Sequence, residues 1–226
     1  MWFIHGAGTA EDPPTPEQVL QWQRMMAPPE NELPASASTS VLLNRTDDAA
    51  VGITQLEVFS TGFRFTLAVR VRRARPEFAV EGLFMLLSPH PQPGIEIPLA
   101  NRLLLGIEYP DGRRASTLEV PGGEGAGAMT GNQPLVLVTQ GGGGGELSVD
   151  QTFWVAPLPA EGPVAVILTW PSFGMDESRT IIDGAAIRAA ASRSTLLWPP
   201  QAAPEPPQPL PTPPRPETGW FAVPPS

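Results

Sequence analysis

The chain has 226 residues, of which 41% are hydrophobic and only 16% charged, with 22 glycines and 30 prolines. That length holds one ordinary domain with extensions, and the glycine and proline content argues against a helical bundle. The net charge of −9, with no cysteine, excludes thiolate chemistry and disulfides and argues against general binding to nucleic acid or an anionic membrane.

All 14 basic residues are arginine, a mark of GC-rich coding that carries no chemistry of its own. The start, Met1-Trp2-Phe3-Ile4-His5-Gly6, lacks a basic region, and no apolar stretch approaches the length of a membrane span. The expected location is cytoplasmic.

Residues 1–39 read as an N-terminal extension. Within it Thr15-Pro16-Glu17-Gln18 starts a helix, with threonine as cap and proline at the first helical position. Val19, Leu20, Trp22 and Met26 give that helix one apolar side, for docking on the domain or for recognising a partner. Residues 40–198 form the expected domain. Its strands run Ser40–Leu43, Val51–Phe59 and Phe63–Arg72, the last alternating Phe63, Phe65, Leu67, Val69 and Val71 with Arg64, Thr66, Ala68, Arg70 and Arg72.

Val80, Leu83, Phe84 and Leu87 fall at helical spacing, so one helix is expected between Pro76 and Leu87. Leu103, Leu105, Ile107 and Tyr109 alternate before a Pro110-Asp111-Gly112 turn, and Leu118 and Val120 mark the return strand. After the glycine-rich loop 122–131, strands are expected over Leu135–Gln140, Leu147–Val155 and Val164–Trp170. Arg179–Ile182 reads as a further strand, and Asp183 as the cap of a helix Gly184–Arg193. These signals predict a mainly β fold, an antiparallel sandwich of immunoglobulin-like type with two or three short helices. Residues 199–226 hold twelve prolines in twenty-eight positions and read as a proline-rich tail.

No catalytic, metal or cofactor site emerges. Gly141–Gly145 lacks the following helix, lysine and hydroxyl of a phosphate loop, because Glu146-Leu147-Ser148-Val149 begins a strand; the run reads as a flexible hairpin loop. His5 and His90 are the only histidines, and no glycine-x-serine-x-glycine elbow is present. Asp47-Asp48 and Asp176-Glu177 lack the alternating spacing of a calcium loop. Trp154, Trp170 and Trp198 read as core residues before they read as a carbohydrate platform.

The expected partner-binding residues are Arg64, Arg70 and Arg72, a basic stripe on one strand face, with Arg73 just beyond it, together with Trp220 and Phe221 near the end of the tail. The tail also contains P-x-x-P steps of the kind that fit aromatic grooves. A second group of motifs combines Phe59-Ser60-Thr61-Gly62-Phe63, Gly106-Ile107-Glu108-Tyr109 with Asp111-Gly112-Arg113, the glycine run, and Trp170-Pro171 through Asp183-Gly184-Ala185-Ala186-Ile187. In these the chain resembles a group of actinobacterial β-sandwich proteins of no established activity, over roughly residues 40–198 with both tails outside. The resemblance implies the fold and transfers no catalytic residue. The expectation is a non-enzymatic interaction or scaffold protein with a protein partner and no cofactor. A carbohydrate- or calcium-binding module and a carboxylate-dependent hydrolase are the alternatives.

Overall fold

The computed structural model describes residues 22, 24–37, 40–75, 82–87, 97–119 and 133–199. Two antiparallel sheets face one another across a single apolar core. The first contains β2 (Ala35–Ser36), β3 (Val41–Arg45), β4 (Ala49–Val58), β5 (Phe63–Val71), β8 (Val136–Gly144) and β9 (Ser148–Ala156). Its order is β2-β4-β5-β9-β8, and β3 continues the β2 edge by pairing with the other half of β4. The second sheet, in the order β11-β10-β6-β7, contains β6 (Leu104–Glu108), β7 (Arg114–Ser116), β10 (Pro163–Trp170) and β11 (Met175–Asp183). The chain therefore runs four strands in the first sheet (β2 to β5), two in the second, two back in the first and two more in the second, a Greek-key path.

The alternation in β5 is the clearest cause of this arrangement. Phe63, Phe65, Leu67, Val69 and Val71 are all buried, meeting Val51, Ile53, Leu56 and Val58 of β4 and Val149, Phe153 and Val155 of β9. Each such side chain contributes about 1.5–3 kcal/mol on burial. From the opposite sheet come Leu105, Ile107, Val164, Val166, Leu168 and Trp170. Tyr109, just after β6, donates its hydroxyl to the Pro157 carbonyl at 2.6 Å, joining the two sheets at one end. Burial raises its phenol pKa far above the ordinary value.

Helix α1 (Gly82–Leu87) and helix α2 (Gly184–Ala191) close parts of the sandwich. Asp183 caps α2 as expected, accepting the Ala185 N–H at 2.9 Å. In α1 the buried side chains are Leu83, Leu86 and Leu87, while Phe84 is exposed. The period expected there is right and its phase is shifted, since the helix starts only at Gly82; Val80 lies outside the described residues.

Other expectations need correction. The return strand after the Asp111-Gly112 turn is β7, three residues long, and Leu118 lies beyond it, exposed in a turn. Val120 and the 122–131 loop lie outside the described residues. The larger correction concerns the glycine run. Gly141–Gly144 is strand, not loop: β8 extends through it in register with Val149–Thr152, and the hairpin turn comes after Gly145. Leu147, expected in the following strand, is in that turn and exposed.

The segment before β2 is integrated with the sandwich. β1 (Glu32–Leu33) pairs with β12 (Thr195–Leu196), and the Leu197 N–H donates to the Asn31 carbonyl at 2.8 Å. Trp22, Met25 and Met26 lie on the outer face of the first sheet, where Phe59, Val136, Trp154 and Ala156 form a second apolar cluster. Trp154, out of phase with the core in sequence, is wholly buried there and donates its indole N–H to the Met25 carbonyl at 2.9 Å. Gly62 permits this packing, because a Cβ would lie 2.6 Å from the Trp154 ring.

Candidate interaction edge

A sandwich has two lateral sides where edge strands expose unpaired peptide groups. On one side β3 and β11 lie against each other. Thr180 Oγ1 donates to the Leu43 carbonyl and Asn44 Nδ2 to the Asp176 carbonyl, both at 3.4 Å. On the other side the first sheet ends in β8. From Gln140 to Gly144 every residue of that strand is exposed, and four of the five have no side chain.

The direction of its peptide groups follows from the turn. The Gly145 N–H donates to the Ser148 carbonyl at 2.8 Å, closing the hairpin. Hydrogen-bonded pairs alternate along an antiparallel ladder, so Gly143 with Asp150 is the next such pair. The N–H and C=O groups of Gly142 and Gly144 therefore point away from β9, into the open side.

Two of the glycines are demanded by the strand's own geometry. A Cβ at Gly142 would stand 2.7 Å from the Asp150 carbonyl oxygen, and one at Gly144 would stand 2.1 Å from that of Ser148. At Gly143 and Gly145 a Cβ would meet nothing within 4 Å, and neither has a positive φ. The fold does not require glycine at those two positions, although each weakens a strand by about 0.5–1 kcal/mol. Beneath the run, Gln151 takes the space that a side chain at Gly142 would fill. It is 1% exposed, donates Nε2 to the Gly141 carbonyl at 3.0 Å, and leaves Oε1 without a hydrogen-bond partner.

The expected arginine stripe divides in two. Arg64 pairs with Glu57 at 2.7 Å and lies over the Phe59 ring. Arg70 makes a bidentate pair with Asp150 at 2.9 and 3.3 Å and also donates to the Val69 and Val149 carbonyls. Arg72 and Arg73 follow β5, are exposed, and make no ion pair with any described residue. Trp220 and Phe221 lie outside the described residues. Trp170 is fully buried, donating its indole N–H to the Asn101 carbonyl at 2.9 Å, whereas Trp198 is 50% exposed at the end of the β1–β12 ribbon. The three tryptophans therefore share no surface.

On the outer face of the second sheet, Glu108 sits between Arg179 and Arg114, which hold its carboxylate pKa below the ordinary value. Asp111 is lowered likewise by hydrogen bonds from Arg113. Both carboxylates are held in ion pairs. Among the described residues no cluster of three or more histidine or acidic side chains is placed to hold a metal ion, and no helix is long and apolar enough to cross a membrane.

The glycine edge was missed by reading the run as a loop. The signal that could have found it is position: it lies between apolar Val136–Val138 and the alternating strand from Val149, with only three residues left for a turn. No family model matches the chain, and no curated protein or solved structure matches it.

Proposed function

We propose that this chain is a non-enzymatic interaction protein whose sandwich takes up an extended segment of a protein partner as an added strand along β8. One observation carries the reading: an exposed edge in which Gly142 and Gly144 turn their peptide groups outward with no side chain, charge or proline of the described residues guarding them. Edge strands are ordinarily blunted by such guards, and strand addition draws its affinity from main-chain hydrogen bonds. The strand order β4-β5-β9-β8 against β11-β10-β6-β7 supports an immunoglobulin-like sandwich, with successive strand pairs alternating between sheets. The absence of cysteine is compatible with a cytoplasmic setting.

The test is a titration of the full chain with an octapeptide of alternating threonine and valine, followed at the Gly142 and Gly144 amides by NMR. Shifts concentrated at those two amides, and abolished when the peptide's alternate nitrogens are methylated, are the expected result. Shifts spread over the surface, or none with the peptide in large excess, would overturn the reading.

A further inference from the structure

The β8 edge has a candidate occupant within the same chain. Proline has no N–H and cannot donate to a ladder, which rules out most of residues 199–226 as a pairing strand. The one stretch there with strand length and no proline is Glu217-Thr218-Gly219-Trp220-Phe221-Ala222-Val223. The next longest proline-free run, Gln201-Ala202-Ala203, is too short to form more than a bridge. Threonine, tryptophan, phenylalanine and valine are strand-favouring residues.

The two surfaces match in shape. Successive side chains of a strand point to opposite faces, so Trp220 and Phe221 on β8 would send one ring to the outer face in either register. That face is bare at Gly143, where a side chain would meet nothing within 4 Å. Covering an edge glycine with a cross-strand aromatic is a known means of repairing the weakness glycine creates. Reach is sufficient. Residues 199–216, extended at about 3.1 Å per residue, span about 55 Å, while a domain of this size is about 40 Å across. The tether makes the contact intramolecular and raises its effective concentration to the millimolar range.

We infer that residues 217–223 pair with β8 of their own chain, with Trp220 or Phe221 over Gly143, and so occupy the edge until a partner strand displaces them. This inference rests on the reading of β8 as a strand-accepting edge. It makes the tail a competitor of the partner and a guard for an edge that has none of its own.

The experiment compares amide hydrogen exchange at Gly142 and Gly144 in the full wild-type chain and in the full-length Trp220→Pro/Ala222→Pro variant, which alters no described residue. Exchange about tenfold slower in the wild type, at every protein concentration, is the expected result. Equal rates would overturn the inference, and so would protection that grows with concentration, since a second copy would then supply the strand. Adding the threonine–valine octapeptide to the proline variant separates the two ideas. If it slows exchange while the wild-type tail does not, the edge accepts strands and only the tail's role falls. If neither does, both fall.

Discussion

The two lateral sides of the sandwich meet the same problem in different ways. Where β3 approaches β11, side chains from each strand satisfy carbonyls of the other, and the edges guard one another across the gap between sheets. At β8 the sequence removes side chains from Gly141 to Gly144, and among the described residues that stretch is paired from the β9 side alone. A self-guarded edge stabilises the monomer. A bare edge leaves hydrogen-bonding capacity for something else, and the glycines at 143 and 145, which the fold does not require, lie on that side.

This contrast can be broken most forcefully within the glycine run itself. Gly144→Val, which forces a Cβ against the Ser148 carbonyl, is expected to cost about 2–3 kcal/mol in urea denaturation and to loosen the β8–β9 hairpin. Gly143→Val, into open space, is expected to be neutral or to stabilise by up to about 1 kcal/mol. Equal losses at the two positions would remove the distinction between required and unrequired glycines. On the guarded side, Thr180→Val removes one long hydrogen bond and Asn44→Ala removes another together with the 2.7 Å bond that Asn44 Oδ1 accepts from the Arg45 N–H, and each should cost about 0.5–1.5 kcal/mol. Faster amide exchange confined to β3 and β11 is the accompanying signature.

The smallest effect comes from charge. The folded-state pKa values of Glu108 and Asp111 are depressed by neighbouring arginines. Their stabilising contribution is therefore present above the ordinary carboxylate range and is lost as pH falls through the depressed values. Arg179→Gln should raise the Glu108 pKa, read by NMR titration, and leave the exchange of the β8 amides unchanged. A change at β8 would mean that the two sheets are coupled.

Sequence periodicity revealed most of the sandwich because burial on one face of a strand writes itself as alternation. Phe63 to Val71 is the plainest case, and Val164 to Leu168 shows the burial of a central strand as an unbroken apolar run. The method failed where side chains carry no pattern. A glycine strand has no alternation to read, so Gly141–Gly144 looked like a loop, and the edge was hidden with it. Trp154 shows a different limit. Its phase placed it outside the main core, and only the return of Met25 over the outer face explains its burial, a contact across more than a hundred residues that no local pattern encodes. The arginine stripe was legible as residues and illegible as charge, because the acids that pair with Arg64 and Arg70 come from β4 and β9.

The ribbon of β1 and β12 gives the molecule a particular response to mechanical load. The chain enters it beside Asn31 and leaves it beside Trp198, at the same end of the pair. A pull applied at Asn31 and Trp198 acts across the ribbon rather than along it. The Asn31–Trp198 and Leu197–Asn31 hydrogen bonds take the force first, and the strand pairs follow one at a time, as in a zipper. Tension would peel this ribbon at low force before the sheets of the sandwich feel any shear, making it the weak link that spares the core.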